Sequence, residues 1–308
     1  MNALPPKVRI VAAFDFGSNA TKCSIARIEA GRISNLAEYR RVNRLGVSLD
    51  SDGCLRDEAI ESSIAITKEL MHLCETFGAP VYVAVGTEAL RKAVNGNEFC
   101  SRISEQCGIS VQIISGEEEA RLTWLGATQV ISELSGNILL FDSGGASTEL
   151  VYGDDRRVSR VESLALGAVT LSREFIVSDP ATATEYEQLE KHLQQNMVLQ
   201  ETQHQHLVGC GGGVSTLAAV AQAHNHRMAE TLNGYFLNRT ELERQLNLYR
   251  HNSIAKITEI AGMEKERADI ILAACMLVLC ITRTAGVKGL YVSTGGIRQG
   301  LIIHESRR

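Results

Sequence analysis

Two short stretches at a fixed offset constrain this chain more than anything else in it. The apolar run Ile138–Phe141 ends in Asp142-Ser143-Gly144-Gly145-Ala146-Ser147-Thr148-Glu149, and Leu150-Val151-Tyr152 then leads to a Gly153-Asp154 turn. That order predicts strand, tight glycine turn, strand, with turn amides converging on an anion and flanking carboxylates suited to a metal. The same design stands near the N-terminus as Phe14-Asp15-Phe16-Gly17-Ser18-Asn19-Ala20-Thr21-Lys22. The aspartates are 127 apart (142 − 15 = 127), and Gly17/Gly144 and Thr21/Thr148 match at the same offset. A lone Asp-x-Gly says little, but two in register predict a duplicated structural unit.

With 308 residues the chain has room for two domains with real cores. A net charge of −5 argues against a bulk nucleic-acid or membrane-surface binder. Eight cysteines without a C-x-x-C pair, most in apolar surroundings, fit reduced thiols of a cytoplasmic protein. Met1–Lys7 carries no apolar signal core, and Ile270–Ile281 is too short to span a bilayer.

Along the first half, Val8–Phe14, Cys23–Ile28 and a run through Tyr39 predict three strands. Arg27, Arg32, Arg40, Arg41 and Arg44 gather there, either as a solvated edge or as an approach surface for a polyanion. Ile60, Ile64, Ile66, Leu70, Leu73 and Cys74 recur at helical spacing between Asp57 and Phe77. Val81–Val85 is a buried strand entering a helical turn with Arg91 and Lys92 in its first turns. Basic residues there lack a helix-dipole motive, so Arg91 has either a substrate anion or a structural carboxylate as partner.

After a strand at Val111–Ile114, Ser115 is the expected N-cap and Glu118, at N3, completes a capping box. Glu117 is then an exposed, dipole-favoured residue. Glu119 has no capping role and is the carboxylate left to face a cleft as a general base.

In the second half a polar helical stretch lies between Thr182 and His206, and Leu207–Gly209 is a strand. It runs into Cys210-Gly211-Gly212-Gly213 and an Ala-rich helix, Leu217–Ala223, so Gly211, Gly212 and Gly213 form a candidate phosphate or nucleotide loop. His204/His206 and His224/His226 lack a Cys or E-x-x-H partner and read as surface residues. Helices are expected over Thr240–Arg250 and Ile254–Gly262, and a long buried one over Lys265–Ala285. A strand at Leu290–Ser293 and a helix over Ile297–His304 close the chain.

Together these motifs resemble the Ppx/GppA phosphatase family of exopolyphosphatases and guanosine pentaphosphate phosphohydrolases. The resemblance runs from about Val8 to Gly300. It rests on Asp15–Asn19, Val85–Asn95, Ile114-Ser-Gly-Glu-Glu-Glu119-Ala-Arg, Asp142–Glu149, Gly209–Thr216, Glu266-Arg-Ala-Asp269 and Ser293–Gly300. It implies an α/β fold of two actin-like ATPase (RNase H-like) domains with a cleft between them. Domain I would be 1–118 plus about 296–308, and domain II 119–295, the length matching the short, two-domain members. The implied general base is Glu119. The implied phosphate binders are Gly17, Ser18, Asn19, Lys22, Arg91, Gly144, Gly145, Ala146 and Ser147, and the implied ligands for Mg²⁺ or another divalent cation are Asp142 and Glu149.

Three positions depart from the family pattern. Ala20 stands for the usual Ser. Lys22 stands for Arg, keeping the charge without the bidentate fork. Ala146 stands for a third Gly, tolerable unless that position needs positive φ.

The expected reaction is removal of the terminal phosphate of inorganic polyphosphate by water. Arg40, Arg41, Arg44 and Arg298 are candidates for a basic track along the polymer. A pppGpp 5'-phosphohydrolase would share every residue named. An actin-fold kinase would need an acceptor site as well as an adenosine site, and a non-catalytic alarmone-binding protein would have no use for Glu119. No nucleic-acid polymer or membrane partner is expected, and a homodimer is allowed.

Overall fold

The computed structural model describes residues 8–18, 20–79, 81–131, 136–154, 157–199, 204–225 and 231–308. The chain divides into two compact units, Met1–Gly126 with Gly296–Arg308, and Ala127–Gly295.

In the first unit, β1 (Arg9–Phe16), β2 (Ala20–Glu29) and β3 (Arg32–Val42) form an antiparallel meander. The helix α1 (Asp57–Thr76) leads to β4 (Val81–Gly86), parallel to β1. The helices α2 (Glu88–Lys92) and α3 (Gly96–Cys107) lead to β5 (Val111–Ile113), parallel to β4, and α4 (Gly116–Ala127) follows. The sheet order is β3-β2-β1-β4-β5.

The unbroken apolar run of β1 reflects burial on both faces. Ala12, Phe14 and Phe16 pack with residues of α1 and α3, while Val11 and Ala13 pack with Ile302 near the C-terminus. Asp57 and Glu58 open α1 in agreement with the helix dipole, and Gly78, at φ +70°, follows its end.

The second unit repeats this order. Its meander is β6 (Ile138–Ser143), β7 (Thr148–Gly153) and β8 (Val158–Leu164). The helices α5 (Ala168–Phe175) and α6 (Ala183–Asn196) precede β9 (His206–Cys210), parallel to β6. Next come α7 (Gly212–His224), β10 (Phe236–Asn238), α8 (Arg239–Arg250), α9 (Ile254–Thr258) and α10 (Ile271–Thr284). β11 (Gly289–Val292) then pairs parallel to β9, giving the order β10-β11-β9-β6-β7-β8.

Removing β10 leaves β8-β7-β6-β9-β11, the same connectivity and strand directions as the first sheet. This duplicated mixed sheet is the actin-like ATPase arrangement expected from the sequence. The final helix, α11 (Ile297–Ser306), belongs to the first unit and crosses α4 at close range. A Cβ on Gly300 would lie 2.0 Å from the Leu122 carbonyl oxygen, so only glycine permits this approach.

Several expected bounds shift. The helix predicted over Lys265–Ala285 is a short 3₁₀ turn at Lys265–Arg267 followed by α10. The polar turn has its own attachments: the Asp269 carbonyl accepts a bond from Ser172 Oγ (2.9 Å), and the Arg267 guanidinium lies where a Gly212 side chain would be. The apolar remainder is buried at 11 of its 14 positions and forms the axis of the second core, each fully buried Leu or Ile contributing roughly 1.5–3 kcal/mol. α9 ends at Thr258 rather than Gly262. Gly262 sits at φ +88° with its would-be Cβ 2.5 Å from the Ala219 carbonyl oxygen. α3, α5, β8 and β10 are additions to the elements expected from the sequence. Among the described residues no helix is long and apolar enough to cross a membrane.

Candidate active site

Both acidic hairpins form. In the first, Asp15 is opposite Lys22 and Phe16 opposite Thr21. In the second, Asp142 is opposite Glu149 and Ser143 opposite Thr148. The loops close with one hydrogen bond that obeys the sequence offset: Gly17 N–H donates to the Ala20 carbonyl (3.2 Å), and Gly144 N–H to the Ser147 carbonyl (2.9 Å).

The loop carbonyls are tied back. Ser18 O accepts from Gly46 N–H at 2.7 Å. Gly144 O accepts from Ala168 N–H (3.1 Å), and Gly145 O from the amides of Val169 (2.9 Å) and Thr170 (3.1 Å). The amides opening α5 thus brace the second loop, and the 3₁₀ turn Leu45–Val47 braces the first. The matching threonines anchor the same braces from beneath. Thr21 Oγ1 accepts from Asn43 Nδ2 (2.8 Å), and Thr148 Oγ1 donates to the Leu166 carbonyl (2.6 Å). Gly144 N–H is taken up in closing the loop, so the exposed backbone of Gly145 and Ala146 is what offers its amide side to an anion. Ala146 does not have positive φ, so a side chain is accommodated there. Asn19 lies outside the described residues, as does His226.

The hairpins differ in charge. Lys22 Nζ lies 3.6 Å from Asp15 Oδ2. Glu149 has no such counter-ion opposite it; its Oε1 accepts from Ser147 Oγ (2.8 Å) and Ser163 Oγ (3.1 Å), which fix the carboxylate beside Asp142. Two opposed carboxylates with hydroxyl support are a hard-oxygen donor set of the kind Mg²⁺ takes together with waters and phosphate oxygens. The residues therefore fit a divalent cation. Asp15 adds an observation not used in choosing metal ligands from sequence: it is 5% exposed and its Oδ1 has no hydrogen-bond partner. Its match to Asp142 at the common offset was the available signal. Among the described residues no cluster of three or more His, Cys, Asp or Glu side chains forms a metal site.

Glu119 sits in the first turn of α4 and bonds to Arg91, with Nη1 donating to Oε2 at 2.6 Å. Both side chains are a little over one quarter exposed (29% and 28%), so the pair is reachable from solvent. Arg91 Nη1 also donates to the Ile114 carbonyl at 3.0 Å, which fixes the guanidinium against the end of the strand. The position of Arg91 corrects the sequence expectation. α2 has only five residues, so Arg91 and Lys92 lie in its last turn, where the dipole favours them, and Lys92 pairs with Glu88 at 2.5 Å.

Ser115 does cap α4, its Oγ accepting from Glu118 N–H at 3.1 Å. The reciprocal half of the capping box is absent because Arg121 takes the Glu118 carboxylate at 2.9 and 2.7 Å and holds it below the usual carboxylate range. Glu117 is exposed, as expected.

The glycine run is also re-drawn. Gly212 and Gly213 belong to the first turn of α7, and Gly211 alone makes the turn. Its φ of +106° and a would-be Cβ 2.3 Å from the Ser143 carbonyl oxygen require glycine. Arg267, unselected from sequence, lies against Gly212 and is oriented by Glu264 at 2.5 Å. Of the proposed basic track, Arg41 is held by Glu69 (2.6 Å), and Arg298 by Glu38 (3.6 Å) and the Cys23 carbonyl (3.3 Å).

A family model for the Ppx/GppA phosphatase family matches residues 24–308. The type II variant of the Aquifex aeolicus Ppx/GppA phosphatase has a TM-score of 0.88 at 30% identity, over 96% of this chain and 99% of that one. An exopolyphosphatase from Cytophaga hutchinsonii shares the fold with a TM-score of 0.81 at 23% identity, over 97% and 98% of the two chains. A nucleoside triphosphate hydrolase from Neospora caninum (TM-score 0.61, 10% identity, 98% and 93% coverage) shares the fold alone.

Proposed function

The chain belongs to the Ppx/GppA phosphatase family and is a phosphoanhydride hydrolase, and from that premise we propose that it releases the terminal phosphate of inorganic polyphosphate with Glu119 as general base. The observation that carries a phosphate-chain substrate is the repeated loop. Twice, the first glycine amide closes the loop and backbone donors tie loop carbonyls back, which leaves the later loop amides for an anion.

In this reading Glu119, its carboxylate oriented by Arg91, accepts the proton of the attacking water as the oxygen closes on the terminal phosphorus. Arg91 and Lys22 would supply positive charge to phosphoryl oxygens, and the loop amides beyond the closing glycines, at Ser18 and at Gly145–Ser147, would bind phosphate. Asp142 and Glu149 would hold Mg²⁺, which when bound neutralises charge developing on the transferring group. Leaving-group protonation needs no dedicated acid, because a polyphosphate anion is a stable leaving group near neutral pH. Eight free cysteines support a cytoplasmic location.

Hydrolysis of pppGpp is the second reading. It is favoured by Arg267, whose flat guanidinium against Gly212 suits a nucleotide at the start of α7.

Phosphate release from long-chain polyphosphate, pppGpp and ATP, each with Mg²⁺, decides between them. A kcat/KM at least about tenfold higher for polyphosphate is the expected result, a discrimination of roughly 1.4 kcal/mol in transition-state binding. The reverse ranking would transfer the assignment to pppGpp.

A further inference from the structure

The cysteines include one pair that the hydrolase mechanism does not use. Cys23 on β2 and Cys74 in the last turn of α1 are separated by 51 residues, yet their sulfurs are 3.6 Å apart and both are fully buried. They lie in the core cluster containing Phe14, Ile25 and Leu70. From this geometry we infer that Cys23 and Cys74 are a covalent modification site, a dithiol that hydrogen peroxide converts to a disulfide joining β2 to α1.

The bond requires the sulfurs to close to about 2.05 Å, a movement of roughly 1.5 Å shared between two side chains and their backbones. Cys74 is the residue set up to react first. The hydrogen bond between the two sulfurs lowers the pKa of Cys74, while that of Cys23 is raised. Burial raises the thiols of Cys100, Cys107, Cys210, Cys275 and Cys280, so these present less thiolate. Peroxide is close to water in size. Cys74 is buried two residues from the end of α1, so reaction requires a local opening of that helix end that admits so small a molecule.

The steps balance. The Cys74 thiolate attacks one peroxide oxygen and the O–O bond breaks. The departing hydroxide takes up the thiol proton as water, leaving a sulfenic acid. The Cys23 sulfur then attacks the Cys74 sulfur. The S–S bond forms, the S–O bond breaks, and the Cys23 proton leaves with the hydroxyl as a second water. Two thiols lose two electrons in all, and one peroxide becomes two waters.

The test uses the full reduced chain, treated with a small excess of hydrogen peroxide, quenched by alkylation in denaturant and mapped by mass spectrometry. A Cys23–Cys74 linked peptide pair, about 2 Da lighter than the two free peptides and reversed by dithiothreitol, is the expected product. The oxidised protein should melt on the order of 5–10 °C higher than the reduced one, because the bond closes a loop of about 50 residues. Cys23→Ser should lose both signals and leave a Cys74 sulfenic acid that dimedone traps. The inference is overturned if peroxide consumes Cys54, Cys100, Cys107 or Cys280 while Cys23 and Cys74 remain alkylatable, or if the link forms only after denaturation. Mapping the wild-type chain decides this even if the variant fails to fold.

Discussion

The two acidic hairpins have the same register, the same closing hydrogen bond and a buried threonine on the same strand position. They part at the residue facing the aspartate, which is Lys22 in the first and Glu149 in the second. Opposite charges across a strand pair are mildly stabilising and like charges directly opposed are destabilising, by about 0.2–1 kcal/mol. The first hairpin therefore carries its own counter-ion. The second sets two carboxylates opposite each other and spends two serine hydroxyls on keeping Glu149 in place. The same hairpin occurs twice, and a single cross-strand position separates the one that pairs its aspartate with a lysine from the one that pairs it with a glutamate.

Exchanging that position is the sharpest way to break the comparison. Glu149→Lys gives the second hairpin the charge pattern of the first. Phosphate release should fall by at least about 10²-fold and lose its response to Mg²⁺, as expected when a preorganised electrostatic element is removed. Urea unfolding should show the fold intact, since a lysine opposite Asp142 is a favourable pair. Retained Mg²⁺ dependence in that variant would take the metal role from Glu149.

The braces differ as well, with a smaller consequence. A Cβ on Gly167 would meet backbone atoms of Gly145 and Ala146 at 2.4 Å, whereas one on Gly46 would meet the Ser18 Cβ at 2.8 Å. Gly167→Ala must displace main chain and should cost about 1–3 kcal/mol in urea unfolding, while Gly46→Ala should cost less. The opposite ranking would mean that the second loop is the more loosely held.

The hairpins were legible in the sequence because glycines, aspartates and threonines recur at one offset, and each turns out to have a counterpart in backbone geometry. The Ser115 cap was legible too, even though Arg121 takes the Glu118 carboxylate that a full capping box would use. Apart from α3, what stayed hidden is short or depends on tertiary contacts. α5 has eight residues, too few for a clear helical period, and β8 is an edge strand with no fully buried position. The ion pair between Arg91 and Glu119 joins residues 28 apart, and no local pattern shows that α2 ends after one turn. The break before α10 follows from contacts at Asp269 and Arg267 that lie far away in sequence.

Replacing one carboxylate oxygen tests the centre of the account. Glu119→Gln keeps an oxygen able to accept from Arg91 but removes the proposed base. Phosphate release at saturating Mg²⁺ and polyphosphate should therefore drop by roughly 10²–10⁴-fold, with polyphosphate affinity and melting temperature close to wild type. Turnover within a fewfold of wild type would show that water is activated elsewhere.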